Sequence, residues 1–158
     1  ISFRGIMGPP RRLVVNAVKK ITSAVSASGA PVKFILMSTT AYTNSKQGEV
    51  NTFGEKLVFS LLEVLLPPHR DNMLAADHLV YEIGMSDRIE WTAVRPDSLF
   101  DEETESEYEI HESKIRSPIF NPGKTGRLTV ARFMVELLEN DASWRKWRNK
   151  TPVVYNKE

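Results

Sequence analysis

Apolar residues recur along this chain in two different rhythms. From position 13 to 25, Leu13, Val14, Ala17, Val18, Ile21 and Val25 follow one another at three- and four-residue spacing. That spacing lays them along one face of a helix and leaves Arg12, Lys19 and Lys20 toward water. Gly29 and Pro31 then offer the left-handed backbone and the missing N–H that end a helix. Val32 to Met37 changes the rhythm to an almost continuous apolar run, interrupted by Lys33 alone, as in a strand covered on both faces of a parallel sheet. Ser38-Thr39-Thr40 stands at the C-terminal end of that strand, the edge where open α/β sheets bind ligands.

The helical rhythm resumes after a polar loop through Gly48. Phe53, Leu57, Val58, Leu61, Leu62, Leu65 and Leu66 form a wide apolar face that Pro67-Pro68 stops. Asp71 is the expected N-cap of a third helix carrying Leu74, Ala75, Leu79 and Ile83, closed by Gly84. Glu90 to Arg95 suits a short strand ending at Pro96, which has no N–H for a ladder. Between Asp101 and Glu112 seven of twelve residues are acidic, predicting a solvated excursion. Thr129 is the expected cap of a fourth helix with Val130, Phe133, Met134, Leu137 and Leu138 inward, and Pro152 to Tyr155 a terminal strand.

The order helix, strand, two helices, strand, helix, strand predicts an α/β fold with right-handed crossovers between parallel strands. Three strands are few for such a sheet. The expectation is therefore one partial domain over residues 1–158, its open edge completed by an upstream segment or covered by a partner protein. Ile1 in place of Met fits the same expectation of a longer protein, as it would also fit processing.

Composition narrows the chemistry. With 41% apolar and 26% charged residues the chain has the balance of a globular domain. The lack of cysteine removes disulfides, thiolate catalysis and Cys-ligated zinc. A net charge of +1 argues against nucleic-acid binding, and no apolar run reaches the roughly 20 residues of a membrane span. No signal segment follows Ile1, which leaves a cytoplasmic or organellar location open. Gly123-Lys124-Thr125 is not a phosphate loop, because Pro118 stands where the motif requires its first Gly. His69, His78 and His111 lack metal-ligand spacing, so no metal site is expected. Trp144-Arg145-Lys146-Trp147-Arg148 mixes basic and aromatic residues, but the expectation is that the tryptophans pack inside, the cations stay wet and the acidic run answers them.

Three segments resemble a known family. Thr92-Ala93-Val94-Arg95-Pro96-Asp97-Ser98-Leu99 is similar to the "T-x-x-R-P-x-x-L" strand end of the short-chain dehydrogenase/reductase superfamily, in its atypical, NmrA-like branch. Phe34 to Thr39 resembles the strand ending in a Ser pair, and Gly126 to Met134 the "S-R-x-D-V-A-x-F" opening of a late helix. The resemblance runs from about Lys33 to Tyr155 and implies a Rossmann-like parallel sheet with flanking helices and NAD or NADP across the strand ends. It places Ile1 just after the family's fourth strand, so the N-terminal strands and the G-x-x-G-x-x-G loop that cradles the pyrophosphate are missing from this stretch.

The resemblance also implies a Tyr and a Lys four residues on, with a Ser polarising the substrate carbonyl. Tyr42 and Lys46 have that spacing but lie in a loop four residues after Ser38, where no helix aligns them. Matching Ala76-Asp77 to the family's "A-E" puts His69 at the Tyr position and Met73 at the Lys position. The standard dyad is thus expected to be lost. Ser38 and Thr39 remain as the groups that orient a carbonyl, and Ser38, Thr39, Thr40, Pro96, Asp97 and Ser98 as cofactor contacts. Arg95 is weighed two ways: as a partner for a phosphate or carboxylate, or as a structural ion pair with Asp97 or Glu90. The functional expectation is an NAD(P)-dependent reductase or cofactor sensor; the alternative is a catalytically silent accessory subunit.

Overall fold

In the computed structural model, which describes residues 8–9, 11–28 and 31–157, the first apolar stripe forms α1 (Leu13–Ser28). Gly29, expected to end that helix, lies outside the described residues. The apolar run forms β1 (Val32–Met37), and after a 3-10 turn at Ser45–Gln47 come α2 (Phe53–Leu65) and α3 (Pro67–Asp77). A π-helical turn, His78–Ile83, extends α3 toward β2 (Ile89–Pro96). The remainder is β3 (Ser98–Phe100), β4 (Tyr108–His111), β5 (Lys124–Gly126), α4 (Arg127–Glu139), α5 (Asp141–Trp147) and β6 (Val153–Asn156).

Four strands make the main sheet in the order β1-β2-β6-β4. β1 and β2 are parallel in register from Val32 beside Ile89 to Met37 beside Val94, and β6 joins β2 in parallel. β4 closes the far edge antiparallel to β6. The solvated excursion expected between Asp101 and Glu112 is therefore corrected: its second half is an edge strand. Tyr108 and Ile110 pack toward the core while Glu109 and His111 alternate to the other face, with His111 Nε2 3.1 Å from Glu109 Oε1. A separate parallel pair, β3 with β5, was also not foreseen.

One core lies on each face of the sheet. Val15, Val18, Ala75, Ala76 and Leu79 of α1 and α3 pack with Leu36, Trp91 and Ala93; Val130, Phe133, Leu137, Trp144 and Trp147 of α4 and α5 pack with Val94 and Val154. This is the layered arrangement that a parallel sheet requires.

Two helix caps differ from expectation for one shared reason. α3 starts at Pro67, because proline at the first helical positions loses no intrahelical hydrogen bond, so Asp71 falls inside the helix. Its buried carboxylate instead accepts the N–H groups of Val14 at 2.7 Å and Val15 at 3.0 Å, capping α1 from the neighbouring helix. Likewise α4 begins at Arg127, with Gly126 at its N-cap, and Thr129 is its third residue. The Thr129 N–H and hydroxyl both donate to Oε1 of Glu102, at 2.7 and 3.0 Å. A carboxylate at a helix N-terminus meets its partial positive charge wherever in the chain it comes from. Replacing Asp71 with Ala leaves two backbone donors unanswered, that of Val15 buried and that of Val14 partly so, and the expected loss is about 2 kcal/mol, read as a lower urea midpoint at unchanged slope.

Candidate functional site

The parallel pairing of β1 and β2 brings their C-terminal ends together. The ladder continues past β1, with Ser38 N–H donating to Val94 O at 2.7 Å and Thr40 N–H to Pro96 O at 3.1 Å. Residues 38–40 and 96–98 thus share one lip of the sheet. Over that lip is a cleft of about 210 Å³, whose polar side is Thr39, Thr40, Asp97 and Ser98 and whose apolar wall includes Phe59, Leu62, Pro118 and Ile119.

The polar groups differ in what remains free. Ser38 is buried and stands outside the lining, its hydroxyl donating to Asn72 Oδ1 at 3.0 Å. Thr39 Oγ1 accepts the Ala41 N–H at 3.3 Å, so its own proton stays available to the cleft. Asp97 is held at two points: its N–H donates to Thr125 Oγ1 at 3.0 Å, and its Oδ2 accepts the Gly123 N–H at 2.9 Å. Thr125 in turn donates to Val154 O at 2.7 Å, which ties the lip to β6. Ser98 is exposed.

Arg95 does not face the cleft. Its side chain is fully buried and makes five hydrogen bonds: Nε to Thr151 O, Nη1 to Tyr42 O and Glu49 Oε2, Nη2 to Glu49 Oε1 and Glu112 O. These equal the five N–H groups of a guanidinium, so none remains for a phosphate. The ion-pair partner is Glu49, at 2.7 and 2.8 Å, not Asp97 or Glu90. Burial alone would raise the Glu49 pKa, but hydrogen bonds from Arg95, its charge and the N–H groups of Asn44 and Lys114 prevail and hold it below the usual carboxylate value.

Tyr42 and Lys46 have different partners. The buried Tyr42 hydroxyl donates to Asp77 Oδ1 at 3.1 Å, whereas Lys46 Nζ donates to Val80 O at 2.7 Å and lies 4.7 Å from the Tyr81 ring centroid. Burial first, then the charge and hydrogen bond of Asp77, push the Tyr42 pKa well above its ordinary value. A tyrosine acting as a general base needs the opposite shift. His69 on α3 lies behind the apolar wall, its ring stacked on Phe59 at 6.3 Å between centroids. Burial, opposed by Glu63, lowers its pKa and favours the neutral ring, and its buried Nε2 has no hydrogen-bond partner.

Lys114 and Glu49 are the polar residues near the site that carry no motif in the sequence. Lys114 Nζ donates to Asn51 Oδ1 at 2.9 Å and Thr43 Oγ1 at 3.1 Å, 5.9 Å from the centroid of Phe59. Burial lowers its pKa against the opposing charge of Glu49. Both line a neighbouring groove of about 400 Å³ formed by residues 47–55 and 113–117.

Residues 5–141 match a family described as NAD(P)H-binding. The chain belongs to this NAD(P)H-binding family. Solved structures share the fold at low identity. An oxidoreductase from Lactococcus lactis superposes with a TM-score of 0.62 at 19% identity, over 96% of this chain and 58% of that one. A protein from Streptococcus pneumoniae described as an NADH-flavin reductase gives 0.64 at 14%, over 93% and 65%. A short-chain dehydrogenase/reductase from Veillonella parvula, in complex with NADP, gives 0.55 at 14%, over 90% and 57%. The chain thus spans about three-fifths of the length of these structures. No curated protein matches the sequence. The mostly parallel sheet with helices on both faces is the Rossmann-like fold of the NAD(P)H-binding family. Among the described residues, no helix is long and apolar enough to cross a membrane.

Proposed function

We propose that this member of the NAD(P)H-binding family is an NmrA-like, atypical short-chain reductase whose strand-end cleft takes the nicotinamide end of the cofactor. The observation that carries this reading is the cleft itself: four polar residues that follow two parallel strands meet an apolar wall at the ligand edge of a Rossmann-like sheet. At about 210 Å³ it is too small for a whole dinucleotide. Its donor set suits one end. The Thr39 and Ser98 hydroxyls and the fixed Asp97 carboxylate complement ribose hydroxyl and carboxamide groups, and Phe59, Leu62, Pro118 and Ile119 complement a flat ring. No Lys or Arg is in the lining, so it does not suit phosphate.

When bound, the dinucleotide supplies hydride chemistry; the protein's residues orient and enclose. Thr39, with a free hydroxyl proton, orients a carbonyl, and Ser38 acts through Asn72 to fix the lip. Arg95 is a positioning residue, which joins the 42–49 loop and residues 112 and 151 behind the strand ends. Tyr42 and Lys46 have no part in this reading, because their side chains point to separate partners. The outer edge of β1 carries no strand among the described residues and is where a protein partner would pair.

The test is a fluorescence titration of the chain with NADPH and NADH. Weak binding is expected, because the sequence contains no glycine-rich pyrophosphate loop. Thr39→Val, which keeps shape and removes the hydroxyl, is expected to weaken it by about fivefold to tenfold, the loss of one hydrogen bond. An absence of any nicotinamide signal at millimolar cofactor would overturn the assignment.

A further inference from the structure

A second and larger cavity opens at the same end of the sheet. α1 and α3 lie side by side and run the same way: Asp71 meets Val14 and Val15, and further along Thr22 meets His78 at 3.0 Å and Lys19 meets Glu82 at 2.9 Å. Asn72, next to Asp71, bonds Ser38 and the carbonyl of Met37, so this end of α3 lies at the C-terminal edge of β1. There, Arg11, Arg12, Glu63, Arg70 and Asp71 line a cavity of about 500 Å³. The two cavities are both lined in part by α2. On α2, Phe59 and Leu62 face the strand-end cleft while Glu63 and Val64 face the second cavity.

The charge balance of this second cavity is positive. Three guanidiniums, of which Arg11 already has a partner, stand against two carboxylates, and both oxygens of Asp71 already accept backbone N–H groups of α1. Those donors being taken, the arginines rather than the helix end provide the attraction. Neither Arg12 nor Arg70 has a carboxylate partner among the described residues, and both are exposed. Unpaired guanidiniums on a concave wall are suited to carboxylate or phosphate oxygens, which they grip two at a time. The strand-end cleft, by contrast, has no cation in its lining.

We propose that the Arg11–Arg12–Arg70 cavity binds the phosphate or carboxylate group of a small anionic ligand, with Arg12 and Arg70 as its main donors. This goes beyond the nicotinamide assignment and does not depend on it. Two sources share the chemistry: the phosphates of the dinucleotide itself, or an acidic substrate that approaches the same edge.

The experiment is calorimetric titration of the whole chain with inorganic pyrophosphate and with succinate at low salt. Wild type is expected to bind at least one of them. The double variant Arg12→Gln/Arg70→Gln, its fold checked by circular dichroism, is expected to bind at least about tenfold more weakly, and added salt to erode the wild-type affinity. Lys56→Gln removes an exposed charge elsewhere on α2 and is expected to change nothing. NADPH, titrated into the same proteins, separates the sources. A parallel loss of NADPH binding assigns the anion to the cofactor, and retained NADPH binding assigns it to a separate acidic ligand. The proposal is overturned if wild type binds neither anion, if the double variant binds as wild type does, or if Lys56→Gln weakens binding equally. Because pyrophosphate and succinate carry no nicotinamide, these outcomes are independent of whether the strand-end cleft takes a cofactor.

Discussion

Replacing Arg95 with methionine is expected to destabilise the protein by about 3–5 kcal/mol, a large share of the roughly 5–15 kcal/mol that holds a domain folded. The cost does not come from the loss of a favourable ion pair as such. Arg95 is completely buried and Glu49 nearly so, with side-chain exposures of 0% and 5%. Methionine fills much of the same space but leaves the Glu49 carboxylate without its counter-charge. It also leaves Thr151 O, Tyr42 O and Glu112 O without the donor each receives from Arg95. Adding Glu49→Gln to the variant removes the stranded charge and is expected to restore part of the loss.

The pH dependence distinguishes this explanation from simple loss of packing. In wild type the Glu49 pKa lies below its ordinary 4.5, so the stability it contributes is complete above pH 4.5 and is lost as pH falls through the lower folded value. Without Arg95, burial dominates and the same carboxyl moves above 4.5. The sign then reverses: the variant is least stable once Glu49 is ionised and recovers as acid protonates it. Urea midpoints of both proteins across pH 4 to 8 test this. If the difference between them stays constant over that range, Glu49 is not what the substitution strands.

How much of this could be read in the sequence depends on how local each interaction is. β1 was legible because strands covered on both faces need apolar residues at nearly every position, and Val32–Met37 supplies them; β2 was legible from its strand-favouring composition ending at Pro96. Position at the end of β1 nominated Thr39 and Thr40, and the family resemblance nominated Asp97 and Ser98; all four line the strand-end cleft. β4 was not legible. An edge strand buries one face, so its two core residues, Tyr108 and Ile110, were outweighed by the glutamates around them.

The caps and the Arg95 site were obscured by sequence distance. Asp71 is a good helix-capping residue, but the helix it caps lies 57 residues upstream. Glu102 serves Thr129 from 27 residues away, and nothing local to the acidic run distinguishes it from its neighbours. Arg95 was recognisable as a residue in need of an anion, and Glu90 and Asp97 were the near choices. Its partner comes instead from the loop at Glu49, 46 residues earlier, brought there by the fold. Local rules name the type of partner a group needs; the topology decides which residue fills the role.

The basic and aromatic segment near the C-terminus gives the other large expected effect. Trp147→Ala is expected to cost about 3–5 kcal/mol, whereas Arg145→Ala and Lys146→Ala stay within about 0.5 kcal/mol of wild type. Trp147 is 3% exposed and packs with Val94, Val130, Phe133, Leu137 and Val154, its ring edge-on to Phe133 at 6.4 Å between centroids. Trp144 beside it is equally buried, and its indole N–H donates to Glu90. The cations remain outside: Lys146 and Lys150 approach the Trp147 ring at 4.8 and 5.9 Å, Arg148 pairs with Glu90, and Lys150 pairs with Glu112 of the acidic run. A tryptophan serving as a stacking platform for bases would lie open to solvent, and its removal would cost little stability. Urea unfolding of the three variants decides between the two roles. A Trp147→Ala midpoint equal to wild type would return the segment to the surface, and with it the question of what it binds.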